Sequence, residues 1–285
     1  MRLRVDPRGE NRKKKFIRRA GKGVALVLGL FAVLFLGLAA WTKLTPAPDG
    51  VLVLEYHLVD SGPVDAEGLV YTVPPEEFAA QLDVLQREGY TAITMLDYMK
   101  ARKGKAVLPA KPVILTFDDG YEDNYTEMLP ILEAHGMKAV VYMVTNDIGQ
   151  TGYLTWGELR DMQARGIEIG SHTANHLPLT QMDPQQREKE VRDSKLLLEW
   201  NGISTVYSFS YPNGAYDDSM PEMLRRQNYL TAVTGDAGIN TFATNPYELQ
   251  RVNIPRPRFG LAEFRLRLWK AELMTRFGIH QHIVR

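Results

Sequence analysis

Two short stretches of this 285-residue chain carry side chains that could do chemistry together. One is Thr116-Phe117-Asp118-Asp119-Gly120; the other, further along, is Ser171-His172-Thr173-Ala174-Asn175-His176. Two imidazoles and one carboxylate make a three-ligand set that leaves coordination positions open for water and substrate, the pattern of a catalytic rather than a structural metal site. The other aspartate is then free to act as a base. Taken alone, each stretch has a plainer explanation, since Asp-Asp-Gly commonly begins a turn and a His-x-x-x-His pair often binds nothing. Their joint occurrence, each directly after a strand-like run, points to a site.

The elements that must position these residues follow from the hydrophobic pattern. Pro112 to Phe117 is apolar and β-branched enough to be a buried parallel strand, so both aspartates arrive where it ends, the place where α/β folds build their sites. Ile167 to Gly170 reads as a second, short strand whose end delivers the histidines at i, i+4; one helical turn would put both imidazoles on one face. Further strands are expected at Val51 to Tyr56, Thr91 to Thr94, Ala139 to Val144, Val206 to Ser210 and Thr231 to Thr234. Between them, Pro75 to Arg87, Tyr125 to His135, Thr155 to Arg165, Pro184 to Trp200 and Asp218 to Gln227 have helical spacing, with a capping-box pattern at Thr155 and Glu158. This alternation implies one α/β domain with a mainly parallel sheet over residues 51–260. Residues 261–285 form a helical tail with Phe264, Leu268 and Leu273 on one face, and His280 and His282 near its end are given no metal role.

A formal net charge of zero hides a division. Residues 1–22 hold ten Lys or Arg against Asp6 and Glu10, while the remainder of the chain has an excess of acidic groups. The cations are confined to an arm (1–23) ahead of a hydrophobic run, which argues against a nucleic-acid partner. That run, Val24 to Trp41, contains no charge and would be about 27 Å long as a helix, enough to cross a bilayer core. It is read as an uncleaved single-pass anchor, a signal segment being the alternative. The positive-inside rule then puts everything after it, a short linker (42–50) and the domain, on the extracytoplasmic side of the cell membrane. The chain has no cysteine, so no disulfide framework supports the domain.

Thr116 to Gly120 and Ser171 to His176 resemble the first two motifs of the polysaccharide deacetylase family, carbohydrate esterase family 4, which shares the nodulation-type deacetylase homology domain. Leu54-Glu55-Tyr56-His57, Pro130 to Gly136 and Phe209-Ser210-Tyr211-Pro212-Asn213-Gly214 add to the resemblance, which runs from about Val51 to Phe259. It implies a distorted (β/α)7 barrel and a hydrolase that removes N-acetyl groups from a polysaccharide containing N-acetylglucosamine, either peptidoglycan or exopolysaccharide. By the same resemblance, Asp119, His172 and His176 hold a divalent metal cation, zinc first, with cobalt, nickel, manganese or iron as relatives. Asp118 is the base, the backbone N–H of Asn213 serves the oxyanion, and Tyr211, Pro212 and Asn213 wall the substrate groove.

The chain departs from the family pattern in three places, one of them the fourth motif, normally containing tryptophan, which is represented only by Thr234-Gly235-Asp236-Ala237-Gly238. Where an arginine often opens the third motif and orients the base, Ser210 stands instead, which leaves Arg251 and Arg256 as candidates for that duty. The late histidine that usually acts as general acid has no counterpart in Arg251 to Arg256, and His57 is the substitute candidate. These departures resemble the secreted poly-N-acetylglucosamine deacetylase subgroup. A monomer is expected. The alternative is a non-catalytic or weakly active glycan-binding homologue, and an iron oxygenase using the same ligand set is a more remote one.

Overall fold

Runs of Val, Ile, Leu and Phe covered on both faces favour parallel strands, and such runs build the sheet here. The computed structural model describes residues 7–45, 48–62 and 68–279; His280 and His282 lie outside them. The strands of the main sheet are β1 (Leu52–Tyr56), β2 (Pro112–Asp119), β3 (Val140–Met143), β4 (Glu168–Ser171), β5 (Ser208–Ser210), β6 (Thr231–Val233) and β7 (Val252–Asn253). Their order is β7-β1-β2-β3-β4-β5-β6, every neighbouring pair is parallel, and off this path an eighth, two-residue strand, Thr91–Ala92, pairs in parallel with Pro112 and Val113 of β2. Late in the chain, Leu249 bridges in parallel to Val233 of β6, and three residues on Val252 pairs with Leu54 of β1. Residues 249–253 therefore touch both edges of the curled sheet.

Strand alternation splits the core in two. Leu52, Leu54, Tyr56, Leu115, Phe117, Val141 and Phe209 point outward under the helices, whereas Val51, Val53, Ile114, Val140 and Val233 point to the concave side with Met95 and Tyr98. On that concave side the inward series of β1 and β2 continues from apolar residues to Glu55, Thr116 and Asp118.

Among the described residues the helices are α1 (Pro7–Leu44), α2 (Pro75–Arg87), α3 (Met95–Arg102), α4 (Leu129–Ala134), α5 (Trp156–Ala164), α6 (Pro184–Trp200), α7 (Met220–Arg226) and α8 (Leu261–Arg276), besides a four-residue turn at Gly68–Tyr71. The capping box of Thr155 and Glu158 forms as expected, and α3, which the hydrophobic pattern did not suggest, starts with another at Thr94 and Asp97. The single helix expected over 125–135 is instead a π-helical turn at Asn124–Met128 that passes into α4. Pro130 accounts for this, because it has no N–H and its ring crowds the carbonyl four residues earlier, widening the turn. On α8 the buried stripe is Phe264, Leu268, Ala271 and Met274, with Leu273 only half-buried beside it.

The chain divides into an N-terminal unit, 1–47, and the domain, 48–285. In the first unit helix α1 already begins at Pro7, so the basic arm continues into the apolar run as one helix. Its stretch Gly21–Leu44, 24 residues, is long and apolar enough to cross a membrane.

Candidate active site

The C-terminal ends of β2 and β4 carry the site. β2 runs through both aspartates, so Asp118 and Asp119 are its last two residues, paired with Tyr142 and Met143 of β3, rather than the start of a loop. In β2 alternation directs Asp118 inward. Asp119 takes a left-handed backbone (φ 74) and turns the chain out of the sheet. His172 follows β4 directly and is tied to β3 by its N–H, which donates to the Met143 carbonyl at 2.9 Å.

The histidines are not on a helix. Thr173 and His176 both have positive φ (69° and 55°), which breaks the expected helical turn and folds residues 173–176 into a tight loop. The outcome is still one cluster: the two imidazole centroids are 4.7 Å apart. His172 Nε2 lies 3.6 Å and His176 Nε2 3.5 Å from Asp119 Oδ1. An ion with bonds of about 2.1 Å in tetrahedral array needs donors about 3.4 Å apart, so the three residues fit a divalent cation. His172 Nδ1 donates to the Ser210 carbonyl at 2.8 Å, which fixes the tautomer and leaves Nε2 as the ligand atom. Burial pushes the His172 pKa down to about 4, so the imidazole is neutral, as a ligand must be.

Asp118 is 2% exposed and is held from both sides. Arg251 Nη1 donates to its Oδ1 at 2.8 Å, and the Ser210 hydroxyl donates to Oδ2 at 3.0 Å. Burial alone would raise this carboxyl, but Arg251, with His172, more than offsets that and holds it below the usual carboxylate range. The arginine is 1% exposed and also donates to the Thr234 carbonyl (3.0 Å) and the Thr116 hydroxyl (3.3 Å). Its Nη2 lies 3.2 Å from Glu55 Oε1. Of the two cations considered from the sequence, Arg251 therefore reaches Asp118, while Arg256 is exposed and meets the fold through its backbone N–H to Val70.

His57, Glu55 and Asp118 each present a donor atom within 4.8 Å of the others. Arg251 already stands between the two carboxylates, so this second group has its cation in the chain itself. His57 lies with its ring 4.8 Å from that of Tyr71, and its carbonyl is pinned by Asn124 Nδ2 at 3.0 Å. Its ring nitrogens make no hydrogen bond to any described residue, unlike a histidine satisfied by backbone at a strand end.

The third stretch needs a correction. Tyr211 does not line a groove: it is 0% exposed, its ring packs against Phe209 and Tyr216, and its hydroxyl donates to the Tyr247 carbonyl. Alternation in β5 explains this, since Ser208 and Ser210 point inward and Tyr211 must point out. Pro212 is buried as well, so only Asn213 of the three is exposed. Asn213 has φ 56, and its N–H has no partner among the described residues. The turn is pressed against the next strand's exit, where Gly235 N–H donates to the Gly214 carbonyl. A Cβ on Gly214 would come within 2.4 Å of Gly235, so only glycine fits there.

A family model described as polysaccharide deacetylase matches residues 105–232. The YxkH protein of Bacillus subtilis (strain 168), whose name places it among the polysaccharide deacetylases, is 33% identical over 216 residues, 76% of this chain and 75% of that one. The chain belongs to the polysaccharide deacetylase family. The Streptococcus pyogenes deacetylase PplD, solved in complex with acetate, matches with a TM-score of 0.71 and 28% identity, over 79% of this deacetylase and 99% of that chain. The parallel curled sheet and its helices are thus the family fold. The poly-beta-1,6-N-acetyl-D-glucosamine N-deacetylase of Escherichia coli (strain K12) is 28% identical over 143 residues, 45% of the deacetylase but 21% of the longer relative.

Proposed function

We propose that this polysaccharide deacetylase hydrolyses N-acetyl groups on an N-acetylglucosamine polymer at the cell surface, either exopolysaccharide or peptidoglycan, using a divalent cation held by Asp119, His172 and His176. The observation that carries the reading is the pairing of a metal-spaced ligand triad with a separate, oriented carboxylate, Asp118. A glycan-binding module would need no such base. Relatives at 28% identity are named for the β-1,6-linked polymer and for peptidoglycan, which supports keeping both as substrates.

Asp119, His172 and His176 would hold the zinc ion or a close relative, which would supply Lewis-acid polarisation of the acetyl carbonyl and a more acidic water. Asp118, held by Arg251 and Ser210 on one side each, takes a proton from the attacking water. The free N–H of Asn213 is the donor available to an oxyanion developing on the acetyl group. His57 gives the leaving amine its proton, which stands in for the absent late histidine.

The whole reading is tested by incubating the full chain in detergent with zinc and a panel of β-1,6- and β-1,4-linked N-acetylglucosamine oligomers and measuring released acetate. No release from any of them would refute it. His57→Ala should slow turnover by roughly 10²-fold or more, the usual scale for a positioned acid or base, with little change in Tm. The opposite result, a clear loss of Tm with turnover per folded molecule intact, would make His57 structural.

The anchor reading rests on the apolar run that begins at Val24, within the helix Gly21–Leu44, and on the ten cations ahead of Val24. Protease added to intact cells should digest the domain and spare the first twenty or so residues. A protected domain would reverse the topology, and a soluble form starting near Trp41 would make the segment a cleaved signal.

A further inference from the structure

The two histidines of the triad are secured in different ways. His172 is 2% exposed and locked by the bond from its own ring to the Ser210 carbonyl. The His176 side chain is 36% exposed, and its ring nitrogens make no hydrogen bond among the described residues; it approaches Asp119 and the His172 ring and feels the charge of Asp147. Its place is therefore set by its backbone, in a loop with two non-glycine residues at positive φ, conformations that persist only when neighbours hold them.

The loop's carbonyls are held by the chain leaving β3: Thr145 N–H donates to the Thr173 carbonyl at 3.2 Å and Asn146 N–H to the Ala174 carbonyl at 3.0 Å. Two of its N–H groups are held by one side chain on α6. Glu190 Oε2 accepts from Ala174 N–H at 3.2 Å and Asn175 N–H at 3.0 Å, and Oε1 accepts from Asn175 Nδ2 at 2.6 Å. Asn175 Oδ1 in turn accepts from Asn146 Nδ2 at 2.7 Å, and within the loop His176 N–H donates to the Thr173 hydroxyl at 3.0 Å. Bonds to a carboxylate are stronger than those between neutral groups, and here a single carboxylate takes three of them.

We infer that Glu190 is a positioning residue of the metal site: its carboxylate sets the Thr173–His176 loop and, through it, the His176 imidazole. It does through the backbone what the Ser210 carbonyl does for His172 directly. The inference rests on the reading of Asp119, His172 and His176 as metal ligands, and its test keeps the two apart.

The full chain in detergent, stripped of metal, is titrated with zinc by calorimetry, and the Tm of the metal-free form is measured alongside. Glu190→Ala should weaken zinc binding by roughly 10–100-fold, the scale found for partners that orient a ligand. Glu190→Gln keeps an oxygen for both backbone N–H groups and should recover most of the affinity. Should the alanine variant fail to fold, Glu190→Asp takes its place, with the charge retained and the reach one methylene too short. Zinc affinity within twofold of wild type in the alanine or aspartate variant overturns the inference, even if Tm falls. His176→Ala is the reference: affinity lost there but kept in the Glu190 variants defeats the positioning role alone, whereas affinity kept in His176→Ala defeats the metal-site reading itself.

Discussion

In Asp118→Asn, acetate release falls by roughly 10²–10⁴-fold while zinc still binds as in wild type. The amide has the shape of the carboxylate and keeps an oxygen for the Arg251 guanidinium, and the Ser210 hydroxyl can rotate to accept instead of donate. What is lost is the capacity to take a proton from water. Removing one member of a buried ion pair usually costs about 3–5 kcal/mol because the partner charge is stranded. Arg251 is not stranded, since Glu55 lies 3.2 Å from its Nη2, so the variant should fold with a smaller loss of Tm. Acetate release at the wild-type rate from a folded, zinc-loaded variant would show that Asp118 is not the base. It would also return weight to a glycan-binding role.

Replacing His172 by Ala should empty the cation site and silence the enzyme together. The side chain contributes the donor atom 3.6 Å from Asp119 Oδ1, and its other nitrogen secures the Ser210 carbonyl, whose own hydroxyl holds Asp118. Loss of the ring thus removes a ligand, leaves a buried carbonyl unpaired at a cost of about 1–3 kcal/mol, and loosens the base. His176→Ala, which removes an outer and more exposed ligand, should be the milder of the two. Zinc per folded chain, measured after dialysis, separates them: a His172→Ala protein that retains a full equivalent of zinc would contradict the assignment.

What could be seen in the sequence was local. The β2 run, the Thr155 capping box, and α2 and α6 to their end residues were legible because each depends on neighbours within a few positions. The histidine spacing was legible as a cluster but not as a loop, since the left-handed backbone at Thr173 and His176 is imposed by Thr145, Asn146 and Glu190 on other elements. The choice between Arg251 and Arg256 could not be made, because Arg251 and Asp118 are 133 positions apart and meet only when the sheet curls. Tyr211 was a missed opportunity: the Ser208, Ser210 alternation in β5 would have pointed it outward. Ser210, which in the sequence only marks the place of a missing arginine, supplies an orienting group by hydroxyl in place of guanidinium.

The segment that joins both sheet edges is also among the last parts of the domain to be synthesised. Asp118, Asp119, His172 and His176 leave the ribosome well before Arg251 does. Until then Glu55 and Asp118 have no guanidinium between them, and the base has none to aim it. Docking of residues 249–253 delivers the missing countercharge and joins the sheet edges in the same event. A polypeptide cut short before Arg251 would therefore lack, at one stroke, the guanidinium beside Asp118 and the segment that joins the sheet edges.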